Sequence, residues 1–194
     1  MEVLALDFLN SDYRDYRGSG RAEDRFLQLA WRQQFLARWH LDVDAAALDE
    51  SMMRSLITLR SHLWAYAARL ARGEPLAVAD MTQLQPYLQA SVVRRTLSQD
   101  QDGHWRIVLE PLQKDWLWVQ SEIMVSFVEL VTTQDPTRIK TCENDACGWI
   151  FFDASKNRSR RWCAGYACGN MMTVRRYRAR QTHHSHATAS EESH

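Results

Sequence analysis

The chain has 194 residues, 45% of them hydrophobic and 25% charged, with a formal net charge of zero. That length suits one medium domain with its own core plus a small appendage, and it excludes a membrane span, since no stretch approaches ~18 uninterrupted apolar residues; the longest apolar run, Ile123 to Val131, is broken by Ser126 and Glu129. The opening MEVLALDFLN has neither a basic leader nor a small-residue cleavage site, so it does not read as a signal peptide and a cytoplasmic protein is expected.

In chain order, Leu4 to Leu9 suits a short strand or a buried extended segment, and Arg17 to Gly20 a loop. Ala22 to His40 predicts a helix, with Leu27, Trp31 and Phe35 at helical spacing. Asp49 or Ser51 can cap the next helix, which runs to about Ala71 and ends at Gly73, with Met53, Leu56, Ile57, Leu63, Trp64, Ala67 and Leu70 as its apolar stripe. A third helix spans Ala77 to Leu88, interrupted or bent near Pro86. Val92 to Leu97 and His104 to Glu110 predict a β-hairpin, in whose second arm Trp105, Ile107 and Leu109 alternate with Arg106, Val108 and Glu110. Gln113 to Thr132 is a long amphipathic helix with Trp116, Ile123, Phe127, Leu130 and Val131 on one face, and Gln134-Asp135-Pro136 a hinge. Low-complexity sequence beyond Gln181 predicts a disordered tail, whose His183, His184 and His186 could bind metal only opportunistically.

The zero net charge hides an asymmetry. Residues 1–137 hold 14 Lys/Arg against 19 Asp/Glu, a balance of −5, whereas residues 138–181 hold 10 against 3, a balance of +7. An acidic body joined to a basic segment suggests two jobs, the second suited to nucleic acid.

All four cysteines fall in that basic segment, as C-x4-C-x15-C-x4-C. Two close pairs separated by enough chain for a hairpin is the layout of a four-thiolate zinc site, so Cys142, Cys147, Cys163 and Cys168 are the candidate ligands of one structural zinc ion. Disulfides are disfavoured in a chain without a secretion signal, and a catalytic zinc would need an open coordination position that four thiolates fill. Trp149 to Phe152 reads as the first arm of the hairpin, Asp153 to Ser159 as its turn and Arg160 to Cys163 as its return; a final helix starts near Met171, with Met171, Val174 and Tyr177 on one face. Lys156, Arg158, Arg160 and Arg161 on the turn, and Arg175, Arg176, Arg178 and Arg180 on the helix, form a candidate phosphate-binding face. The alternative for this face is a solvated surface, or one that docks on the acidic body.

The segment TCENDACGWIFFDASKNRSRRWCAGYACGNMMTVRRYRAR resembles the CGNR zinc-finger family, through Asp153, Ser155, Asn157, Arg160, Arg161, Trp162 and Cys163 and through Cys168, Gly169 and Asn170; Met171 stands where the namesake Arg would be. Such fingers follow an α-rich ABATE domain, whose hallmark resembles Leu6-Asp7-Phe8-Leu9-Asn10-Ser11. The resemblance implies a stress-linked bacterial transcription regulator.

Within the N-terminal region, Arg60 lies in the apolar stripe of its helix, where a charge is costly unless paired. Asp7 is the candidate partner and Asn10 a further hydrogen-bonding group; the three are either a structural buried cluster or the floor of a pocket for an anionic effector. No nucleophile–base–acid set is legible, so no catalysis is expected. The sequence thus predicts an α+β, mostly α protein: an ABATE-like helical domain with a β-hairpin over residues 1–135, a small treble-clef-like zinc finger over 136–181, and a tail over 182–194. Its function is that of a DNA-binding regulator with one zinc, a candidate small-molecule effector and room for homo-oligomers. The alternative is a protein-interaction module that does not touch DNA.

Overall fold

The computed structural model describes residues 2–178 and 181; Arg180 and the tail from Thr182, with its three histidines, lie outside the described residues. No helix among the described residues is long and apolar enough to cross a membrane.

LALDFL forms a short helix, α1 (Leu4–Leu9), not an extended segment. Five of its six side chains are buried, so the run has no period that would tell helix from strand in the sequence. Two three-residue strands follow, β1 (Asp12–Arg14) and β2 (Ala22–Asp24), paired antiparallel with Tyr13 opposite Glu23. Their loop turns at Gly18 and Gly20, with left-handed φ of 87° and 79°. The helix expected from Ala22 therefore starts late. The Asp24 carboxylate accepts the Phe26 N–H and caps a single 3-10 turn at Arg25–Leu27, Gln28 is extended, and α2 occupies Leu29–Arg38. A local side-chain bond to the backbone has outcompeted the helix at its expected start. Buried Arg32 then pins the turn by donating to the carbonyls of Phe26 and Leu27.

The longer elements lie close to expectation. α3 (Glu50–Ala71) is capped by Asp49, which accepts the Met52 N–H at 2.8 Å, and it gives way to Gly73 at φ 79°. α4 (Val78–Leu88) runs through Pro86 to its end. β3 (Val93–Gln99) and β4 (Trp105–Pro111) form the predicted hairpin, with Leu97 opposite Ile107. α5 (Trp116–Thr133) starts at Asp115, which accepts the Trp118 N–H. α1 packs between α3 and α5 in a core of Phe8, Phe26, Leu56, Leu59, Leu63, Ile123 and Phe127, with Phe8 and Phe26 edge to face at 5.4 Å. Trp64 falls off the buried stripe of α3 and is half-exposed.

Two expectations are corrected here. The segment at Gln134–Pro136 is no hinge: Asp135 accepts from the Thr137 N–H and hydroxyl, capping a 3-10 turn at Pro136–Arg138. The finger's core is only partly its own: Ile139, Ile150 and Phe152 belong to the same buried cluster as α1, α3 and α5, while Cys142, Cys147, Phe151 and Cys168 form a second, smaller cluster around the thiols.

Arg60 is buried, as its place in the stripe requires, but its partner is not Asp7. Its guanidinium forks onto Asp24, at 2.7 and 2.5 Å, and donates to the Ser11 hydroxyl at 2.8 Å, which itself donates to the Phe8 carbonyl. Asp7 lies on the other side of α1, accepting from the Trp39 indole at 2.8 Å and standing 3.6 Å from Arg38. Asp7 is the one residue of α1 that is not buried, so its carboxylate meets Trp39 and Arg38 and not the core in which Arg60 sits. Arg60→Ala strands a half-buried carboxylate and should cost about 3–5 kcal/mol. Urea unfolding of Arg60→Ala, Asp24→Ala and the double variant checks this; strictly additive losses would mean that the two side chains are not coupled.

Candidate metal centre and basic face

The metal centre is built on two strands of the body's own core. β5 (Ile139–Thr141) pairs antiparallel with β6 (Ile150–Phe152), Ile139 opposite Phe152 and Thr141 opposite Ile150. β6 was expected to pair with Arg160–Cys163. It pairs with β5 instead, and the returning chain lies beside the knuckle, where the Glu143 N–H bonds the Arg161 carbonyl. Between the strands the chain makes a tight knuckle. The Cys142 N–H donates to the Trp149 carbonyl and the Cys147 N–H to that of Asn144, both at 2.8 Å, and Gly148 takes φ 67°. Asn144 is buried; its amide donates to the Tyr16 carbonyl at 2.8 Å and toward the Cys168 sulfur at 3.5 Å.

The other two thiols come from beyond Asp153, which is fully buried. Its carboxylate accepts from Lys140 Nζ at 2.7 Å, the Arg160 N–H at 3.0 Å, and the N–H and hydroxyl of Ser155 at 2.9 and 2.6 Å. Burial alone would push this carboxyl up; the Lys140 ammonium and the Ser155 and Arg160 donors outweigh it and hold the group well below the usual carboxylate range. The seven residues from Asp153 to Ser159 are thereby wound around one carboxylate, which sets the direction in which Arg160–Cys163 departs. Cys168 follows in a wide turn at Gly165–Gly169, closed by the Gly169 N–H on the Ala164 carbonyl, and a last helix, α6, covers residues 170–178.

All four sulfurs lie within 4.8 Å of one another, and three of the four residues are buried. Cys147 and Cys163 are 3.6 Å apart and Cys163 and Cys168 3.7 Å. Thiolates held tetrahedrally at 2.3 Å from zinc stand about 3.8 Å apart, so the donor set fits that ion in number, type and spacing. None of the four is paired in a disulfide. Contacts within the cluster pull the Cys142 thiol down by hydrogen bonds from Cys147 and Cys163 and push those two up, the behaviour of thiols too crowded to ionise together without a cation.

The sequence of residues 138–181 matches the family described as "CGNR zinc finger", and that of residues 2–134 matches the family described as "Putative stress-induced transcription regulator", ABATE. No curated protein matches the chain. The chain belongs to the ABATE family. Its finger is a CGNR zinc finger that holds one structural zinc ion through Cys142, Cys147, Cys163 and Cys168.

Several polar contacts join the ABATE body to this finger. Asn10, at the end of α1, makes a two-bond clasp with Ile150, donating to its carbonyl at 2.9 Å and accepting its N–H at 3.1 Å. Asn144 reaches back to Tyr16, and Arg175 on α6 donates to the Arg17 carbonyl at 2.8 Å. The predicted apolar face of α6 is not covered: Val174 and Tyr177 are exposed. The helix lies beside a polar loop and is held by its arginines.

The predicted basic residues divide. Arg158 pairs with Asp135 at 2.7 Å and donates to the Thr137 hydroxyl. Arg160 lies over the Phe151 ring at 4.7 Å and donates to the carbonyls of Trp162 and Cys163. Arg161 pairs with Glu143 and, with Arg176, flanks the Trp162 ring, each guanidinium 5.5 Å from its centre. Three of the turn's four cations thus serve the loop itself, and exposed Lys156 extends beyond it. On the body, the β1–β2 loop Arg17-Gly-Ser-Gly-Arg21 comes beside Arg175, a juxtaposition that sequence reading missed.

At the seam a cavity of about 240 Å³ opens between α1, α3 and the knuckle, lined by Asn10, Asp12, Arg14, Arg60, Trp64 and Trp149 among others. Asn10 and Arg60 line it as predicted; Asp7 does not.

Removing the zinc should lower the melting temperature of the whole chain, since the metal ties the ends of strands that fill the common core and its binding is worth about 10–16 kcal/mol in small sites of this kind. Scanning calorimetry with and without a chelator reads this; a body transition unmoved by chelation would contradict it. Asp153→Ala should cost about 2–3 kcal/mol at neutral pH by leaving Lys140 and two N–H groups short of a partner. Because the folded carboxyl is held below its unfolded value of about 4, that contribution is complete above pH ~4 and fades as the pH falls further, so wild type and variant should converge in acid.

Proposed function

We propose that this ABATE-family protein is a transcription regulator that binds duplex DNA through the CGNR finger and the adjoining loop of the body. The observation that carries the reading is the continuity of the cationic surface. Exposed Arg175 on α6 lies next to the Arg17–Arg21 loop, whose two glycines take left-handed turns, and Gly18 stands so close to Arg175 that an added Cβ would lie 3.1 Å from its guanidinium; exposed Arg176 follows it on the helix, over the Trp162 ring. Arginines converging on one surface are what phosphate binding needs. Met171 replaces the family's namesake cation, and Lys156, Arg17 and Arg21 supply charge on neighbouring elements. The reading is of a binding protein, with no catalytic role.

The seam cavity supports a regulatory component. It combines exposed Arg14 and Asp12 with Trp64 and with Trp149, whose buried indole N–H has no partner among the described residues. A small planar molecule with an anionic group fits these walls, and it would touch the body and the zinc knuckle together. One observation favours the alternative, a protein-interaction module: Arg158, Arg160 and Arg161 are engaged within the finger.

A salt titration separates the two. Each phosphate neutralised contributes about 0.9 to the log–log salt slope. Lys156→Ala with Arg176→Ala should flatten the slope by about two units, and Arg17→Ala with Arg21→Ala by about two more, with zinc content and melting temperature unchanged. The Arg17 variant keeps the carbonyl that Arg175 uses. Unaltered affinity in the folded, zinc-loaded quadruple variant would remove the role given to this face, and no binding by the wild type would leave the interaction module.

A further inference from the structure

The hairpin β3–β4 presents the wrong face to water. Its strands pack chiefly on each other, and a two-stranded ribbon left alone in water is marginal. One face is polar, with the Arg94–Glu110 pair at 3.2 Å and with Thr96, Ser98 and Arg106. The other carries the rows Val93–Pro111, Arg95–Leu109, Leu97–Ile107 and Gln99–Trp105. On it Leu97 is 71% exposed, Trp105 68%, Ile107 67%, Leu109 59% and Val93 45%. Together these side chains expose roughly 500 Å² of apolar surface, at the upper end of the largest patches that monomers leave uncovered.

We propose that this face is the contact of a twofold homodimer, its occupant the same face of a second copy. The patch is self-complementary under a twofold axis through the Leu97–Ile107 row. Hairpins crossing antiparallel about that axis set the Arg95–Leu109 row of one chain against the Gln99–Trp105 row of the other. Leu109 then meets Trp105, and Arg95, the one charge on the face, lies among Gln99 and an indole ring instead of opposite its own copy. The tip of each hairpin reaches the root of the other, where Val92, Leu112 and Leu117, with Ser91, Gln113 and Asp115, line a groove of about 370 Å³. Doubling the exposed area gives roughly 1,000 Å², the lower limit for a specific contact, before the groove adds its share. A dissimilar protein partner would not require the face to complement itself.

Sedimentation equilibrium of the full-length, zinc-loaded protein from about 1 to about 100 µM tests this, because a dimer held by mass action shows itself in the concentration series. It weighs the particle and is independent of the DNA reading. Wild type should approach twice 22.7 kDa. Ile107→Glu buries a carboxylate against its own copy and should run as a monomer with zinc content and circular dichroism unchanged, since the replaced side chain faces solvent in the single chain. Should Ile107→Glu lose zinc, Leu97→Lys serves as the folded variant with the same expected mass. Trp105→Ala should weaken the dimer at least tenfold. A wild type that stays monomeric across the range overturns the proposal, as does a dimer that persists in a folded Ile107→Glu or Leu97→Lys variant.

Discussion

The structure depends on one pair of short strands doing two things at once. β5 and β6 carry Ile139, Ile150 and Phe152 into the core of the ABATE body, and they turn back on each other through Cys142 and Cys147. Metal and core are therefore in series: the thiolates fix the ends of strands whose flanks the body buries. Three residues per strand are too few to form a stable hairpin in water. Zinc at one end and the α1–α3–α5 core along the length supply what the strands lack, and Asn10 adds a side-chain clasp that stands in for a further strand at Ile150. The finger is best regarded as a wall of the body with a metal-stapled rim.

The same economy governs the polar groups. Buried charge is tolerated only with all its partners in place, and the chain concentrates such partners at two carboxylates. Asp24 caps a turn, fixes β2 and receives Arg60; Asp153 winds the loop that delivers Cys163 and receives Lys140. Each organises a segment whose sequence alone has no strong preference. The basic composition of the finger reflects this as much as any ligand. Arg158, Arg160 and Arg161 satisfy carbonyls, carboxylates and rings within the finger, so a net charge of +7 over residues 138–181 overstates what an approaching polyanion would meet. What remains available lies at the edge of the loop, on α6 and on the body's own glycine loop.

Much of this was legible in the sequence, and the parts that were not have physical causes. The long helices announced themselves by period and, at Asp49, by a cap, and the cysteine spacing pointed to the metal donors because few other arrangements bring four thiols together. The short elements escaped. LALDFL is buried nearly all round and so has no period, and β1 and β2 are three-residue strands made of polar residues. Pairing across the chain was equally hidden: Arg60 had an apolar context that demanded a counter-ion, but that Asp24, on a short strand made only by long-range pairing, supplies it has no local signal. The arm Trp105–Ile107–Leu109 was read correctly as alternating, yet alternation does not say which face meets the core.

The series arrangement also constrains how a ligand at the seam could influence the cationic face. A small molecule shifts an equilibrium only by the difference in its affinity for two states. The cavity walls come from α1 and α3 on one side and from Cys147, Gly148 and Trp149 on the other, so its occupant distinguishes states in which knuckle and body sit together from states in which they part. Through a shared zinc the knuckle's Cys147 is tied to Cys163 and Cys168, and Cys168 lies near the end of the turn leading into α6. Under the proposed effector role, a displacement at the seam would be delivered through the zinc to the helix that carries Arg175 and Arg176, and the contact most exposed to it is the one between Arg175 and the Arg17 carbonyl. Loosening that contact separates the two halves of the cationic surface without unfolding either. Under the proposed DNA-binding role, the zinc ion then has a second consequence besides stability: it makes the finger rigid enough for an event at the seam to be felt at α6.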